Sequence, residues 1–320
     1  MNYLFFGDPH IRYKRPENRK EGFYEQLKEK LREVKSIAKK FEIKETFCLG
    51  DLFDNEASLF FNFLMYDISD YLQGYNTLIG NHDSKLKSLE TRGTMLGVLE
   101  KHGIVKIPKE DLIIGNVLFR FAHYPIKDQV SHECNFNGIK VMLSHDVILP
   151  PSESKDIRYE FKETNKLKTD FDLYILGHYH FPFSEKVVCE GINREKHKVL
   201  FYNPGSLLRL TSKEKDYKRK PKVAILFTDD NNSSFSLKEI DLECALDYKE
   251  VYDFDIIEKK KENKEMESKF VKSIKENLNE SYNKEETIIS HIKKISQDKE
   301  VNDYVSGKIE QYNSSKSINK

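Results

Sequence analysis

The chain begins, after Met1 and Asn2, with Tyr3-Leu4-Phe5-Phe6-Gly7-Asp8-Pro9-His10. Its four apolar residues predict a short buried strand. Asp8 and His10 follow at the end of this strand, where the sheets of α/β proteins gather their functional side chains. The stretch therefore predicts an α/β fold with polar ligands just beyond the first strand.

Four further motifs repeat this arrangement through the first two thirds of the chain. The last three follow apolar runs, as Thr77-Leu78-Ile79 does before Asn81, so each predicts a strand that ends at polar side chains. Five motifs in this order are far more specific than any one of them alone. The four are Gly50-Asp51-Leu52-Phe53-Asp54, Gly80-Asn81-His82-Asp83, Ser144-His145 and Gly177-His178-Tyr179-His180.

One two-metal arrangement uses all five motifs, with three ligands for each ion and one bridging ligand. His178 and His180 are two residues apart, so in extended chain both project to the same side, one toward each ion. Mixed carboxylate, imidazole and amide ligands suit Mn²⁺, Fe or Zn²⁺ better than Ca²⁺ or Mg²⁺. The predicted ligands are Asp8, His10 and His180 for the first ion, Asn81, His145 and His178 for the second, and Asp51 as the bridge.

The chemistry that fits this arrangement is the hydrolysis of a phosphodiester. Such an ester is anionic and a poor electrophile, and two metal ions about 3.5–4 Å apart supply both a hydroxide and cationic charge. His82 has no metal in the assignment and is free to protonate the leaving oxygen. Asp54, three residues after Asp51, is predicted to keep that imidazole oriented and charged.

At these residues the sequence resembles the calcineurin-like metallophosphoesterase superfamily, in which the matching positions have these roles. The resemblance covers roughly residues 1 to 210. Within the superfamily, the chain is most similar to the SbcD-type DNA repair nucleases, including their bacteriophage relatives. The shared features are Gly-Asp-x-Phe-Asp, Gly-Asn-His-Asp and Pro204-Gly205-Ser206 followed by Arg209. The protein phosphatase branch fits poorly, since Asn55-Glu56 replaces its Arg-Gly and Asp83 its Glu.

This resemblance implies an Mn²⁺-dependent DNA nuclease with exonuclease activity on duplex ends and endonuclease activity on single strands. It also implies DNA repair or recombination with a coiled-coil ATPase of SbcC type, and it allows a homodimer. Two alternatives stay open. One is a stand-alone metallophosphodiesterase for small nucleotides, and the other is a non-catalytic docking scaffold, which has no need of a complete ligand set and His82.

Three arginines are the predicted substrate contacts. Arg12 and Arg15 lie in a basic loop just after the first ligands, where a phosphate backbone needs positive charge. Arg209 follows the Pro-Gly-Ser turn, from which its guanidinium could reach a phosphate. A solvated loop and a tight turn with an exposed arginine explain the same residues equally well.

The order of elements predicts an α/β fold of two facing mixed β-sheets flanked by helices, with a small β capping region and a helical C-terminal tail. A hairpin from about Val223 to Ile240 and a strand-like segment from Tyr248 to Ile256 are expected in the capping region. In the tail, Met266, Phe270, Ile274 and Leu278 are four residues apart, which predicts a helix that docks a partner, covers the protein's own core, or is partly disordered. The predicted domains are a catalytic domain at residues 1–215, the capping region at 216–256 and the tail at 257–320.

Composition is consistent with an intracellular enzyme. The 320 residues include 53 Lys and Arg against 53 Asp and Glu, so any nucleic-acid surface must be a local patch. The four cysteines lack the paired spacing of a zinc site and are expected to be reduced thiols. No basic region precedes a long apolar segment at the start of the chain. We therefore expect no secretory signal or membrane span, and a soluble cytoplasmic protein.

Overall fold

The opening apolar run forms β1, Asn2–Phe6, near the middle of a six-stranded sheet. The structure is a computed structural model that describes residues 1–12, 14–54, 64–84, 89–124, 130–155, 157, 160–229 and 234–280. The other strands are β2 (Glu45–Cys48), β3 (Tyr75–Thr77), β4 (Val105–Lys106), β5 (Leu112–Ile114), β6 (Val117–Ala122), β7 (Ile139–Ser144), β8 (Ile148–Leu149), β9 (Lys162–Glu163), β10 (Leu173–Leu176), β11 (Phe183–Cys189), β12 (His197–Asn203), β13 (Lys222–Thr228) and β14 (Phe235–Asp241).

Two mixed six-stranded sheets form the fold, as the sequence predicts. The first has the strand order β14-β13-β1-β2-β3-β4, and the second has the order β11-β12-β10-β7-β6-β5. β1, β2 and β3 are parallel neighbours, and so are β7 and β10. The strands that precede the five motifs therefore lie side by side within their sheets, and parallel strands end at the same edge. Strands β8 and β9 form a separate small sheet.

Alternation along β1 explains the layers. Tyr3 and Phe5 pack between the sheets, where Phe5 stacks on Phe47 with ring centroids 5.3 Å apart and Tyr3 meets Phe119 edge-on. Leu4 and Phe6 point to the opposite face and join the cluster beneath the first helix. A strand that is buried on both faces has no polar alternation, which is why residues 3–6 form a continuous apolar run.

The helices flank the sheets. The spacing of Leu27, Leu31, Val34 and Ile37 predicts a helix from about Phe23 to Lys40. The structure confirms it as α1 (Phe23–Lys40), with these four residues buried on one face. The sequence also predicts a helix from about Glu56 to Leu72. Its described part is a π-helix, Leu64–Ile68, followed by the short α2 (Ser69–Leu72), and the remainder lies outside the described residues. The α-helices are α1 (Phe23–Lys40), α2 (Ser69–Leu72), α3 (Met95–Lys101), α4 (Glu214–Tyr217), α5 (Tyr248–Val251) and α6 (Phe254–Glu280), and Thr164–Lys166 is a 3₁₀ turn.

The predicted hairpin is formed by β13 and β14. β13 pairs antiparallel with β1, so the hairpin extends the sheet that carries the first motifs. The strand expected from Tyr248 to Ile256 is wrong, because residues 248–251 form α5. Asp247 caps this helix by accepting a hydrogen bond from Lys249 N at 2.9 Å.

The chain divides into two compact units, Met1–Tyr252 and Asp253–Lys320. In the second unit α6 is 27 residues long, with Met266 and Phe270 partly buried. The side chains of Ile274 and Leu278, and the tail from residue 281, lie outside the described part of the structure. Among the helices that are described, none is both long and apolar enough to cross a membrane.

Candidate metal centre

Each of the five motifs lies immediately beyond a strand. Asp8, Asp51 and Asn81 follow β1, β2 and β3, while His145 and His178 follow β7 and β10. The two sheets face each other across an apolar core, so these loops meet at one end of the core. The fold thus gathers residues that are as much as 170 positions apart in the sequence, as in the contact between His10 and His180.

Asp51 lies at the centre of the gathered residues. Its Oδ2 is 3.6 Å from His10 Nε2 and 3.4 Å from His145 Nε2. Two groups of potential ligand atoms, each within 4.8 Å of one another, contain Asp51: one with His10 and His82, the other with His145 and His178. A carboxylate common to both groups has the position expected of a bridging ligand.

The first predicted site is built from Asp8, His10 and His180. His10 Nε2 and His180 Nε2 are 3.1 Å apart, so their lone pairs can converge on one point. Asp8 Oδ1 accepts a hydrogen bond from His178 N at 3.2 Å, whereas Asp8 Oδ2 is buried without a hydrogen-bond partner among the described residues. Such a carboxylate oxygen is costly to bury unless a cation compensates it. This donor set therefore fits a divalent metal ion.

The second predicted site is built from Asn81, His145 and His178. Asn81 Oδ1 is 2.7 Å from His178 Nδ1 and 3.1 Å from His145 Nε2. On its other side, His145 Nδ1 lies 2.7 Å from the backbone oxygen of Leu49. Donation from Nδ1 to this carbonyl leaves the lone pair of Nε2 directed into the site, which is the usual orientation of a metal-binding histidine.

Burial and crowding shift the pKa values of these groups. Burial raises the pKa of the Asp8 carboxyl to about 7. Burial opposes protonation of His145, but the charges of Asp51 and Asp8 raise its pKa to about 10. Burial and the nearby His145 lower the pKa of His178 to about 3, and burial lowers that of His180 to about 4. Bound cations would compensate the buried carboxylates of this cluster.

The backbone is strained at four of the candidate ligands. Their φ angles are 34° at Asp8, 43° at His10, 45° at Asp51 and 67° at His178. Only one other described non-glycine residue, Glu42, has a positive φ. This left-handed region is costly for residues with a Cβ, and it persists where the surroundings enforce it, often at functional sites. The strain is a signal that sequence patterns do not carry.

The glycines that precede the ligands are required by close packing. A Cβ on Gly50 would collide with the imidazole of His145, and one on Gly80 would collide with the carboxylate of Asp51. A Cβ on Gly177 would meet the backbone oxygen of Leu49. Glycine therefore precedes these ligands because a neighbouring ligand or backbone oxygen occupies the space of a side chain.

His82 is held by a different group from the one predicted. Its ring Nδ1 lies 2.6 Å from the backbone oxygen of Asp54, and its backbone N–H donates to Asp51 Oδ1 at 2.8 Å. The carboxylate of Asp54 pairs instead with Arg12, and its Oδ1 is 3.7 Å from His10 Nδ1. The prediction that this carboxylate orients His82 is therefore wrong. Because His82 also lies near His10 and Asp51, direct binding of a metal is the competing role for its imidazole.

Asp83 organises the backbone of two motifs, although its position in the sequence predicts no role for it. Its Oδ2 accepts hydrogen bonds from Leu52 N at 3.1 Å and Gly80 N at 3.0 Å, and its Oδ1 accepts from Phe53 N at 3.0 Å. Burial and the charge of Asp51 raise the pKa of Asp83 to about 6. This side chain ties the second motif to the third. Its only signal in the sequence is its place in the third motif.

His123 and Tyr124 fix the chain that leads to Asn81. Ile79 N donates to His123 Nδ1 at 3.0 Å, and Tyr124 N donates to Ile79 O at 2.9 Å. His123 Nε2 lies 2.7 Å from Pro108 O, which fixes the ring from its other side. The Tyr124 ring is nearly parallel to that of His178, with centroids 6.4 Å apart. No local pattern in the sequence identifies these contacts.

The predicted substrate contacts have different environments. Arg12 is partly exposed beside the site and pairs with Asp54. Arg15 donates to Arg19 O and lies 2.9 Å from Glu21 in the basic loop. Both arginines therefore remain accessible from solvent, and Arg12 lies close to the site through its pair with Asp54.

Arg209 has no open face toward a phosphate. Its side chain is buried, and its guanidinium donates to Leu246 O at 2.8 Å and Tyr217 O at 3.3 Å. Burial lowers the pKa of this guanidinium. The structure therefore gives Arg209 a role in holding two backbone segments together, which does not support the predicted phosphate contact.

A sequence profile of calcineurin-like phosphoesterases matches residues 1–182, which include all seven predicted ligands. No curated protein sequence matches the chain. Among solved structures, an archaeal phosphodiesterase is 15% identical, over 75% of this chain and 100% of its own, with a TM-score of 0.34. The phosphoesterase Yfce from E. coli is 13% identical, over 76% and 100%, with a TM-score of 0.35. A putative 5'-nucleotidase from Staphylococcus aureus is 13% identical, over 75% and 54%, with a TM-score of 0.41.

Proposed function

Because the chain belongs to the calcineurin-like phosphoesterase family, we propose that it is a metal-dependent phosphodiester hydrolase that cleaves DNA in the manner of SbcD-type nucleases. The observation that carries the proposal is the position of Asp51. Its Oδ2 lies within 3.6 Å of a nitrogen of His10 and within 3.4 Å of a nitrogen of His145, between the two predicted sites. A carboxylate in this position can bridge the two ions of a two-metal hydrolase.

The side chains have separate roles in the proposed reaction. When bound, two divalent cations would supply an activated nucleophile and offset the charge of the phosphate. The carbonyl of Asp54 accepts a hydrogen bond from His82 Nδ1 at 2.6 Å, so the imidazolium form of His82 would give its Nε2 proton to the leaving oxygen and keep the Nδ1 proton. The contact with Leu49 O keeps the imidazole of His145 in one orientation. His145 therefore does not have to reorganise when an ion binds.

DNA is the proposed substrate because of the motifs shared with SbcD-type nucleases and the charge beside the site. Arg12 lies next to Asp54, and Lys14 and Arg15 are exposed in the same loop. A phosphate backbone that reaches the candidate metal centre would meet this local basic patch. Since the formal net charge of the chain is +0, such a patch is the form that a DNA surface has to take here.

The proposed partner is a coiled-coil ATPase of SbcC type, in DNA repair or recombination, and a homodimer of this chain is part of the same proposal. Its support is the resemblance of the motifs together with α6, a long charged helix in which Met266 and Phe270 are partly buried. An amphipathic helix of this kind can dock in an apolar groove of a partner.

Purified protein incubated with Mn²⁺ and labelled substrates tests the proposal. We expect cleavage of single-stranded DNA and digestion of duplex ends, and no cleavage by the Asp51→Asn variant. Hydrolysis of cyclic or bridged nucleotides with DNA left intact would identify a small-nucleotide phosphodiesterase instead. Retained binding of two ions with no hydrolysis of any diester would favour the docking scaffold.

A further inference from the structure

The turn at residues 203–207 contacts both chain segments that carry ligands of the first predicted metal site. Ser206 N donates to the backbone oxygen of His180 at 3.1 Å, and Leu207 N donates to that of Gly7 at 2.7 Å. Gly7 immediately precedes the ligand Asp8, and His180 is itself a predicted ligand. The turn therefore fixes the spacing between two chain segments that must hold the same ion.

This turn is closely packed against the segment that carries Asp8 and has little room to move. Gly205 has a φ of 74°, and its oxygen lies where a Cβ on Gly7 would be only 2.5 Å away. Asn203 Nδ2 donates to Tyr179 O at 2.7 Å, beside His180. A shift of the turn would consequently be transmitted to both ligand segments, because close-packed interiors pass on small displacements.

A buried carboxylate anchors the chain that follows the turn. Asp216 is fully buried, and its Oδ2 accepts hydrogen bonds from Leu210 N at 2.8 Å and Thr211 N at 2.6 Å. Its Oδ1 accepts from Arg219 Nε at 2.7 Å. A carboxylate with three donors is well satisfied despite its burial, so it can hold these backbone groups rigidly.

Arg219 extends this anchor to the turn itself. Its Nη2 donates to Ser206 Oγ and to Leu208 O, each at 2.6 Å. Ser206 Oγ also donates to Leu208 O at 2.6 Å. Arg219 therefore binds the side chain of Ser206, and the backbone N–H of Ser206 donates to the backbone oxygen of His180. The second site has other supports, since Leu49 O orients His145.

We propose that Arg219 and Asp216 are positioning residues for the first ion, acting through Ser206 on the segments that carry Asp8 and His180. The inference rests on the metal centre of the proposed function and not on the identity of the substrate. Removing a group that orients metal ligands typically costs 10–100-fold in metal affinity. Loss of the contacts made by Arg219 and Asp216 should therefore lower the affinity for the first ion and leave the affinity for the second ion unchanged.

The test measures Mn²⁺ binding to the full chain by calorimetry. Thermal unfolding of each variant is measured in parallel. Arg219→Gln and Asp216→Asn should weaken one of two ions about 10–100-fold and leave the other within about 2-fold. Arg219→Lys, which keeps the charge, should recover part of the lost affinity. Arg120→Gln is the matched control, because Arg120 also pairs with a carboxylate, that of Asp111, and donates to the backbone oxygens of Ser131 and Glu133.

The His180→Ala background identifies which ion responds. If that variant has already lost the first ion, adding Arg219→Gln should leave the affinity of the remaining ion unchanged. Should Arg219→Gln fail to fold, Ser206→Ala removes only the hydroxyl contact and should weaken the same ion more mildly.

Two results would overturn the proposal. Equal weakening of both ions, or an unfolding temperature that falls while both affinities stay the same, would make the pair a general stabiliser of the fold. If the wild-type chain does not bind two ions, the metal centre itself is wrong, and the proposed function is overturned with it.

Discussion

The Nδ1 atom of His82 lies 2.6 Å from the backbone oxygen of Asp54, so a carbonyl and not a carboxylate orients the proposed general acid. A backbone oxygen is fixed by the fold and cannot be removed by changing the side chain. The carboxylate of the same residue is engaged by Arg12. The proton-transfer function of His82 and the charge of Asp54 should therefore be separable by mutation.

His82→Asn should retain both ions and lower turnover by about 10²–10⁴, which is typical for the loss of a general acid. A nitrophenyl diester, whose leaving group needs no proton, should be affected much less than DNA. Parallel assays of the two substrates, with ion counting by calorimetry, measure this. Loss of an ion, or an equal decrease on both substrates, would instead make His82 a metal ligand.

Asp54→Asn should reduce turnover by less than about tenfold, or about 1.4 kcal/mol of transition-state stabilisation, because the carbonyl that holds His82 remains. The variant mainly releases Arg12. Arg12→Gln is the matched control, since it removes the same ion pair from the other side. A decrease for Asp54→Asn as large as that for His82→Asn would contradict this interpretation.

Asp51→Asn should weaken both ions, whereas His10→Ala and His178→Ala should each mainly weaken one. The reason is that only Asp51 belongs to both groups of ligand atoms. We expect each affected ion to lose more than about tenfold in affinity, or about 1.4 kcal/mol. Calorimetric titration with Mn²⁺ gives the stoichiometry and both affinities. Two ions bound normally by the Asp51 variant would exclude the bridging role.

Arg209→Ala should destabilise the fold by about 2–4 kcal/mol, because it removes a buried side chain and the guanidinium that donates to the carbonyls of Leu246 and Tyr217. The Michaelis constant for DNA should not change, since the guanidinium is not available to a phosphate. Denaturant unfolding and steady-state kinetics together measure the two effects, with the exposed Arg15→Ala as the control for charge. A raised Michaelis constant with normal stability would restore Arg209 as a substrate contact.

The chain truncated after Tyr252 should fold and still cleave an activated diester, because residues 1–252 form one compact unit that contains all seven predicted ligands. It should lose the proposed ATPase partner. Phe270→Asp in the full chain should have the same effect on partner binding, whereas Ser268→Asp, at an exposed position of the same helix, should not. Pull-down from the native host compares the variants. Identical partners for all of them would show that α6 is not a docking helix.

Features that depend on interactions between near neighbours in the chain can be predicted from the sequence, and features that depend on distant segments cannot. The strand of residues 2–6 and helix α1 depend on local apolar periodicity, and both were predictable. The alternation of residues 248–251 predicts a strand, but they form a helix whose first turn is capped by the side chain of Asp247. The pairing of β13 with β1 joins residues more than 200 positions apart, which no local pattern encodes.

The sequence by itself determined which residue types lie just beyond the strands, and therefore the family and the candidate ligands, because a strand and the residue after it are set by neighbouring side chains. Only the tertiary structure decided what those side chains face. Arg209 is buried, the carbonyl of Asp54 contacts His82, and Arg219 donates to Ser206 in the turn that contacts His180. The direction of a side chain depends on packing against distant segments, and those segments come together only when the chain folds.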